Sequence, residues 1–179
     1  MHAPRDVVDF FNACLEFADG KEKIGPQIVK TAEAQYSNSR LVALFEEWNS
    51  VYPNLKLAIE LLKKSSKTFL IQDIETEKLN ELAYQYALQA ETEVTVEDEV
   101  RRIFRMYYDQ SFIHPNDVRL RLIYILYQVG AVGIKIASFN TTSWSFIDAS
   151  ILSFTDLTLD SKIEICPAFY RVLGVSGVE

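Results

Sequence analysis

The five prolines constrain this 179-residue chain more than any other feature. Proline has no backbone N–H to donate and its ring clashes with the preceding helical turn, so a helix accepts it only in its first turn or beyond its end. Pro4, Pro26, Pro115 and Pro167 stand directly ahead of apolar runs, and Pro53 stands just after one. The chain is thereby cut into successive helical segments before any propensity is weighed.

The first segment, Pro4 to Asp19, carries Val7, Val8, Phe10, Phe11, Cys14, Leu15 and Ala18 on a wide helical stripe, with Asp6 near the positive end of the helix dipole and Gly20 as the stop. Pro26 opens a second helix through Ile28, Val29, Ala32 and Ala34 toward Tyr36. Ser37 or Ser39 is expected to cap a third, SRLVALFEEWNSVY, closed by Pro53. NLKLAIELLKK reads as a fourth helix, KTFLIQDI as a small extended segment or loop, and Glu75 to Ala90 as helix again. The charged, β-branched stretch ETEVTVEDE is the expected boundary between a unit at residues 1–94 and a second at residues 95–179.

The second unit changes character. VEDEVRRIFRMYYDQ and PNDVRLRLIYILYQVG have helical spacing, after which GIKIASF, SWSFIDASI and KIEIC shorten the period to that of strands, and a last short helix runs from Pro167 to Leu173. Helices followed by a strand pair are the pattern of a winged helix. The expected fold is mainly α: a helical bundle followed by a winged-helix domain with a small β-wing.

Half of the residues are hydrophobic, ample for a buried core, and the net charge of −7 disfavours a general nucleic-acid coat or an anionic membrane surface as partner. Cys14 and Cys166 sit in apolar surroundings that suit small buried hydrophobes in a reducing compartment. No stretch approaches the roughly 20 apolar residues of a membrane span, and no secretory pattern opens the chain, so the cytoplasm is the expected location.

Signals of chemistry are sparse. There is no G-x-x-x-x-G-K-[ST], G-x-G-x-x-G or G-x-S-x-G, and His2 and His114 have no Cys, Asp or Glu partner at metal-ligand spacing. The adjacent carboxylates of FEEW and VEDE read as solvated helix faces. Two basic groups remain: Arg101, Arg102 and Arg105 on one helix, and Arg119 with Arg121 on the candidate recognition helix. They would grip phosphates, or a protein partner, if they shared a face. From Glu97 onward, however, eight lysines and arginines face ten carboxylates, so the stronger expectation is that these arginines pair with Glu97, Glu99, Asp109 and Asp117 or pack against a neighbouring domain.

The opening APRDVVDFFNACLEFADGKEKIGPQIVKTAE resembles the start of the helical lid in P-loop ATPases of the AAA+ and STAND type, through Pro4, Arg5, Asp6, Asn12, Gly20, Ile24, Ile28 and Ala32. YSNSRLVALFEEWNSVYPNL, with Tyr36, Ser37, Arg40, Glu47, Trp48, Tyr52 and Pro53, resembles more narrowly a poorly characterised group of bacterial P-loop ATPases. LIYILYQVGAVGIK and IEICPAFYRVLGV are similar to the winged-helix tail of that group.

The resemblance implies that Arg5 is the "sensor 2" arginine, which binds the γ-phosphate and couples hydrolysis to lid movement. It implies a non-catalytic C-terminal region whose ATPase core lies upstream, with ATP and Mg²⁺ expected only with that core. Its winged helix would contact a protein, another subunit or DNA. A free-standing DNA-binding regulator and a protein assembly module docking through tyrosines such as Tyr107 and Tyr108 are the alternatives.

Overall fold

The structure is a computed structural model that describes residues 4–92, 96–109, 113–136, 141–147 and 152–177, the side chains of 4–6 and 89–92 excepted. It is mainly helical, with one small antiparallel sheet. Helix α1 spans Pro4–Phe17, α2 Pro26–Trp48, α3 Leu55–Glu60, α4 Thr76–Thr92, α5 Glu99–Tyr108, α6 Pro115–Gln128 and α7 Tyr170–Leu173. The strands are β1 (Thr68–Leu70), β2 (Val132–Lys135) and β3 (Lys162–Ile165). Pro26 and Pro115 occupy first-turn positions of α2 and α6, and Pro167 opens a 3₁₀ turn that leads into α7.

The second and third helices read from the sequence are one continuous helix, α2. Ser37 does not cap a new helix, because its hydroxyl is buried and accepts a hydrogen bond from the Val172 backbone N–H at 3.2 Å. A serine hydroxyl engaged by a distant chain segment offers the local backbone no alternative to helix. Arg171 adds an ion pair to Glu33 at 2.7 Å, so the C-terminal turn is fastened to the middle of α2. The helix ends at Trp48, ahead of Pro53, and α3 tightens after Glu60 into i−3 hydrogen bonds from Leu61, Leu62 and Lys63.

KTFLIQDI resolves into β1 and a 3₁₀ turn at Ile71–Asp73. β1 pairs antiparallel with β3, Phe69 opposite Ile163, and β3 pairs on its other side with β2, Ile134 opposite Ile163. Among the described residues of SWSFIDASI, Ser143 alone joins the sheet, by two backbone bonds to Ile134. Trp144 to Ile147 then form a turn and not the expected strand, closed by the Ile147 N–H on the Trp144 carbonyl; residues 148–151 lie outside the described residues. The buried Tyr127 hydroxyl lies 3.1 Å from the Ser143 hydroxyl and accepts from the Leu152 N–H, gripping both flanks of the β2–β3 connection.

One buried cluster runs from Leu41 to Val175, with Ile59, Leu62, Leu79, Phe104, Leu122, Ile123, Leu126 and Tyr127 at its centre. The expected boundary at residues 94/95 lies outside the described residues, and the buried cluster draws on residues from both sides of it. β1 belongs to the same sheet as β2 and β3, and the Asp98 carboxylate accepts from the Asn54 N–H at 2.8 Å. A smaller cluster of Ala13, Cys14 and Ala32, flanked by Phe10 and Phe17, joins α1 to α2, with Phe10 set edge-on to Tyr36 at 5.9 Å.

Candidate partner-binding surface

The arginines singled out in the sequence do not gather into a phosphate-binding face. On α5, Arg102 pairs with Glu99, Arg105 pairs with Glu97 at 3.0 Å, and Arg101 lies 3.9 Å from Glu97 with its guanidinium over the Tyr86 ring. From α6, Arg121 approaches the same Glu99 at 3.6 Å and covers the Phe154 ring. Two carboxylates thus hold four arginines. Of the four carboxylates expected as partners, Glu97 and Glu99 take these arginines, and among the described residues Asp109 and Asp117 form no ion pair with them. Asp98, between them, caps α5 by accepting from the Arg101 N–H at 2.8 Å.

Arg119 is not on a surface at all. It is 7 % exposed and its guanidinium donates to the Ile74 carbonyl, the Asn116 side chain and the Thr76 hydroxyl, all within 2.8 Å. Five N–H donors in a fixed fork make arginine suited to bind several acceptors at once. Here that capacity ties α6 to the start of α4. The candidate recognition helix is the central helix of the core: Val118, Leu122, Ile123, Ile125, Leu126 and Tyr127 are buried, and of its basic side chains only Arg121 is exposed. His114 serves as the N-cap of α6, its Nδ1 accepting from the Asn116 N–H. His2 lies outside the described residues.

A cleft of about 500 Å³ lies beside Arg121, lined by Tyr52, Glu99, Tyr124, Gln128 and Phe154. Tyr52 donates to the Gln128 side chain at 3.0 Å, and burial, reinforced by Glu99, Tyr124 and Asp98, raises its pKa above the ordinary phenol value. Of the polar groups there, Tyr52 is bonded to Gln128 and Arg121 is paired with Glu99. Among the described residues, no cluster of three or more His, Cys, Asp or Glu could hold a metal ion, and no helix is long and apolar enough to cross a membrane. Both cysteines are thiols, Cys14 buried in the α1–α2 contact.

The feature that breaks the usual rule of burial is α1. Its inner face, Phe10, Ala13, Cys14 and Phe17, packs on α2. Val7, Val8, Phe11 and Leu15 are between 48 % and 60 % exposed. At about 100° per residue these four fall within an arc of about 100° that adjoins the packed face, so the apolar surface of α1 is roughly twice as wide as α2 covers. The opposite border of the exposed arc is polar, formed by Asp9, Asn12 and Glu16. The four form a contiguous apolar strip, unlike the singly exposed apolar residues of an ordinary surface. Arg5 falls on the first turn of this helix, and its side chain lies outside the described residues.

Residues 1–45 match the family model of the FunZ-associated C-terminal helical domain. The matched segment is α1 and most of α2, about a quarter of the chain, and its description suggests a C-terminal domain of a larger protein. No curated protein and no solved structure matches this chain.

The α1 surface had a signal in the sequence, a stripe broader than one helix–helix contact needs, but spacing alone does not say which half of the stripe is covered. The buried role of Arg119 had none, since its acceptors on Ile74 and Thr76 are more than 40 positions away.

Proposed function

We propose that this chain is the non-catalytic C-terminal interaction region of a P-loop ATPase of the AAA+/STAND type, engaging its ATPase core through the outer face of α1. The observation that carries the reading is the half-covered apolar arc of α1, which falls inside the segment that matches a C-terminal helical domain. Arg5, on the same helix, is the residue assigned to sense the γ-phosphate. A guanidinium on a hinged element binds a triphosphate more strongly than a diphosphate, and that difference in affinity is what couples hydrolysis to movement. The chain supplies no glycine-rich phosphate loop, and its described residues include no metal-ligand cluster, so ATP and Mg²⁺ belong with the core.

The order α3, β1, α4 to α6, β2, β3, with β1 and β2 on either side of β3, supports a winged-helix reading of the larger cluster, its first strand drawn from residues 68–70. In this reading the winged helix is a protein-contact and framework element. Burial of Arg119 and the pairing of Arg101, Arg102, Arg105 and Arg121 with Glu97 and Glu99 weigh against DNA as its partner.

Reading the coding DNA in frame upstream of Met1 tests the proposal. An open frame with G-x-x-x-x-G-K-[ST] and an acidic strand end supports it, whereas a stop codon and ribosome-binding site directly before Met1 overturn it. In the longer product, Arg5→Ala is expected to lower ATP turnover by about tenfold or more, the scale at which transition-state arginines act. The 179-residue chain by itself is expected to show no turnover.

A further inference from the structure

We propose that the cleft of about 500 Å³ beside Arg121 binds a small planar aromatic carboxylate, its ring among Tyr52, Tyr124 and Phe154 and its carboxylate on Arg121. The volume is that of a small-molecule site. Val51 and Ile125 complete the apolar lining, and the rings of Tyr124 and Phe154 stand edge-to-face at 5.6 Å. Walls of this kind accept a further aromatic ring by offset or edge-on stacking.

The open polar groups select the rest of the ligand, because they are chiefly donors. Gln128 spends its side-chain oxygen on the Tyr52 hydroxyl, and among the described residues its amide N–H groups and the Tyr124 hydroxyl have no hydrogen-bond partner. Arg121 is held over the Phe154 ring, 5.8 Å from its centroid, and its 3.6 Å approach to Glu99 is longer than a hydrogen bond. Its guanidinium is therefore fixed in place with its N–H fork open, the state in which arginine takes up a carboxylate at little cost in freedom. The neighbouring acids are engaged elsewhere. Glu99, the one carboxylate among the described lining residues, is held more closely by Arg102, Glu97 pairs with Arg101 and Arg105, and Asp98 accepts from the Asn54 and Arg101 N–H groups. Asp156 is turned back onto the Ser153 N–H, and Asp117, one turn before Arg121 on α6, forms no ion pair with it among the described residues. A cationic ligand would meet Glu99 already occupied and Arg121 repelling it.

The test titrates 2-naphthoate, 2-naphthamide and 2-naphthylmethylammonium, which share a ring system and differ in charge, into the purified chain by calorimetry and by amide NMR. 2-Naphthoate is expected to bind at least about tenfold more tightly than the amide, the ammonium more weakly still, with shifts at Tyr52, Tyr124, Gln128 and Phe154. Cyclohexanecarboxylate, which keeps the charge without the planar ring, should bind severalfold more weakly than 2-naphthoate. Arg121→Ala, with a urea midpoint close to that of the unmodified chain, should reduce 2-naphthoate binding to the level of the amide. Tyr124→Phe, which keeps the ring and drops the hydroxyl, should weaken it severalfold, and Glu99→Gln, which removes the carboxylate competing for Arg121, should tighten it.

Equal binding of carboxylate and amide, shifts away from the cleft, no binding, or an Arg121→Ala chain that binds 2-naphthoate undiminished overturns the proposal. So does tighter binding of the ammonium, which would assign the cleft to a cation held by Glu99 and the rings. The described lining residues all lie beyond residues 1–45, the segment that carries α1. An upstream frame without a phosphate loop therefore leaves the probe result standing, and failure of the probes leaves the ATPase reading untouched.

Discussion

Arg119 on α6 donates from Nε to the carbonyl oxygen of Ile74 at 2.7 Å, joining residues 45 positions apart inside the core. The same guanidinium satisfies Asn116 and Thr76, so a positive charge is held where water does not reach it. Removing it leaves the Ile74 carbonyl without this donor and takes a buried side chain out of the core. Arg119→Ala is expected to destabilise the fold by about 2–4 kcal/mol, read as a lower urea midpoint at unchanged slope. Arg121→Ala, at a half-exposed ion pair, should cost about 1 kcal/mol or less. Equal costs for the two would contradict the separation of a framework arginine from a surface one.

Gly133 lies under the turn that follows Ser143. A methyl group placed on it would sit 2.6 Å from the Thr142 methyl carbon and 2.7 Å from the Trp144 ring, closer than carbon atoms approach. Gly133→Ala must therefore lift that turn off β2, at a cost of about 1–3 kcal/mol for overpacking. The chain has two tryptophans, so in a Trp48→Phe background the emission of Trp144 alone reports the displacement. A red shift with a lowered melting temperature is expected, and an unchanged spectrum would sink the prediction.

Most of the helical framework was legible because it is local. Pro26 and Pro115 fix helix starts by sterics alone, and α6 and its glycine stop at Gly130, which adopts φ +77°, follow from one short stretch of chain. What escaped the sequence is long-range. Ser37 reads as a cap until Val172 is known to face it, and KTFLIQDI cannot declare itself a strand until β3 arrives from nearly a hundred positions later. The basic groups were legible as charge but not as geometry. Arg101, Arg102 and Arg105 meet the carboxylates expected for them, whereas Arg119 and Arg121, two positions apart, point to the core and to the surface. The acidic VEDE run, read as solvated, contains the cap of α5 and a bond to Asn54.

The contact between Ser37 and Val172 yields a third prediction. The Val172 N–H is held by a hydroxyl on a buried surface, and alanine at residue 37 leaves that donor unpaired. Ser37→Ala is expected to cost about 1–3 kcal/mol, the desolvation penalty of an orphaned buried donor. Native-state hydrogen exchange should show faster exchange at Val172 and Leu173 while the amides of β2 keep their protection. Uniform loss of protection would mean that the C-terminal turn is not a separate unit of stability.

The tyrosines give the pH dependence. Burial raises the phenol pKa values of Tyr52, Tyr107 and Tyr170 above 10.0 in the folded chain. A raised folded pKa means that the native state holds its proton more tightly than the unfolded one, so this contribution to stability is complete below about pH 10 and is lost as pH climbs through the folded values. Lys78 acts in the opposite sense: burial lowers its pKa below 10.5, so its charged form opposes folding at neutral pH and that opposition fades as pH rises toward 10.5. Each of the three phenols therefore contributes a fall in stability above about pH 10. Spectrophotometric titration should show a late-ionising class of tyrosines in the native protein that disappears in urea. Tyr52→Phe, which removes the donor to Gln128, should remove one member of that class and shallow the alkaline fall in stability. Titration of all nine tyrosines as a single normal class would refute the assignment.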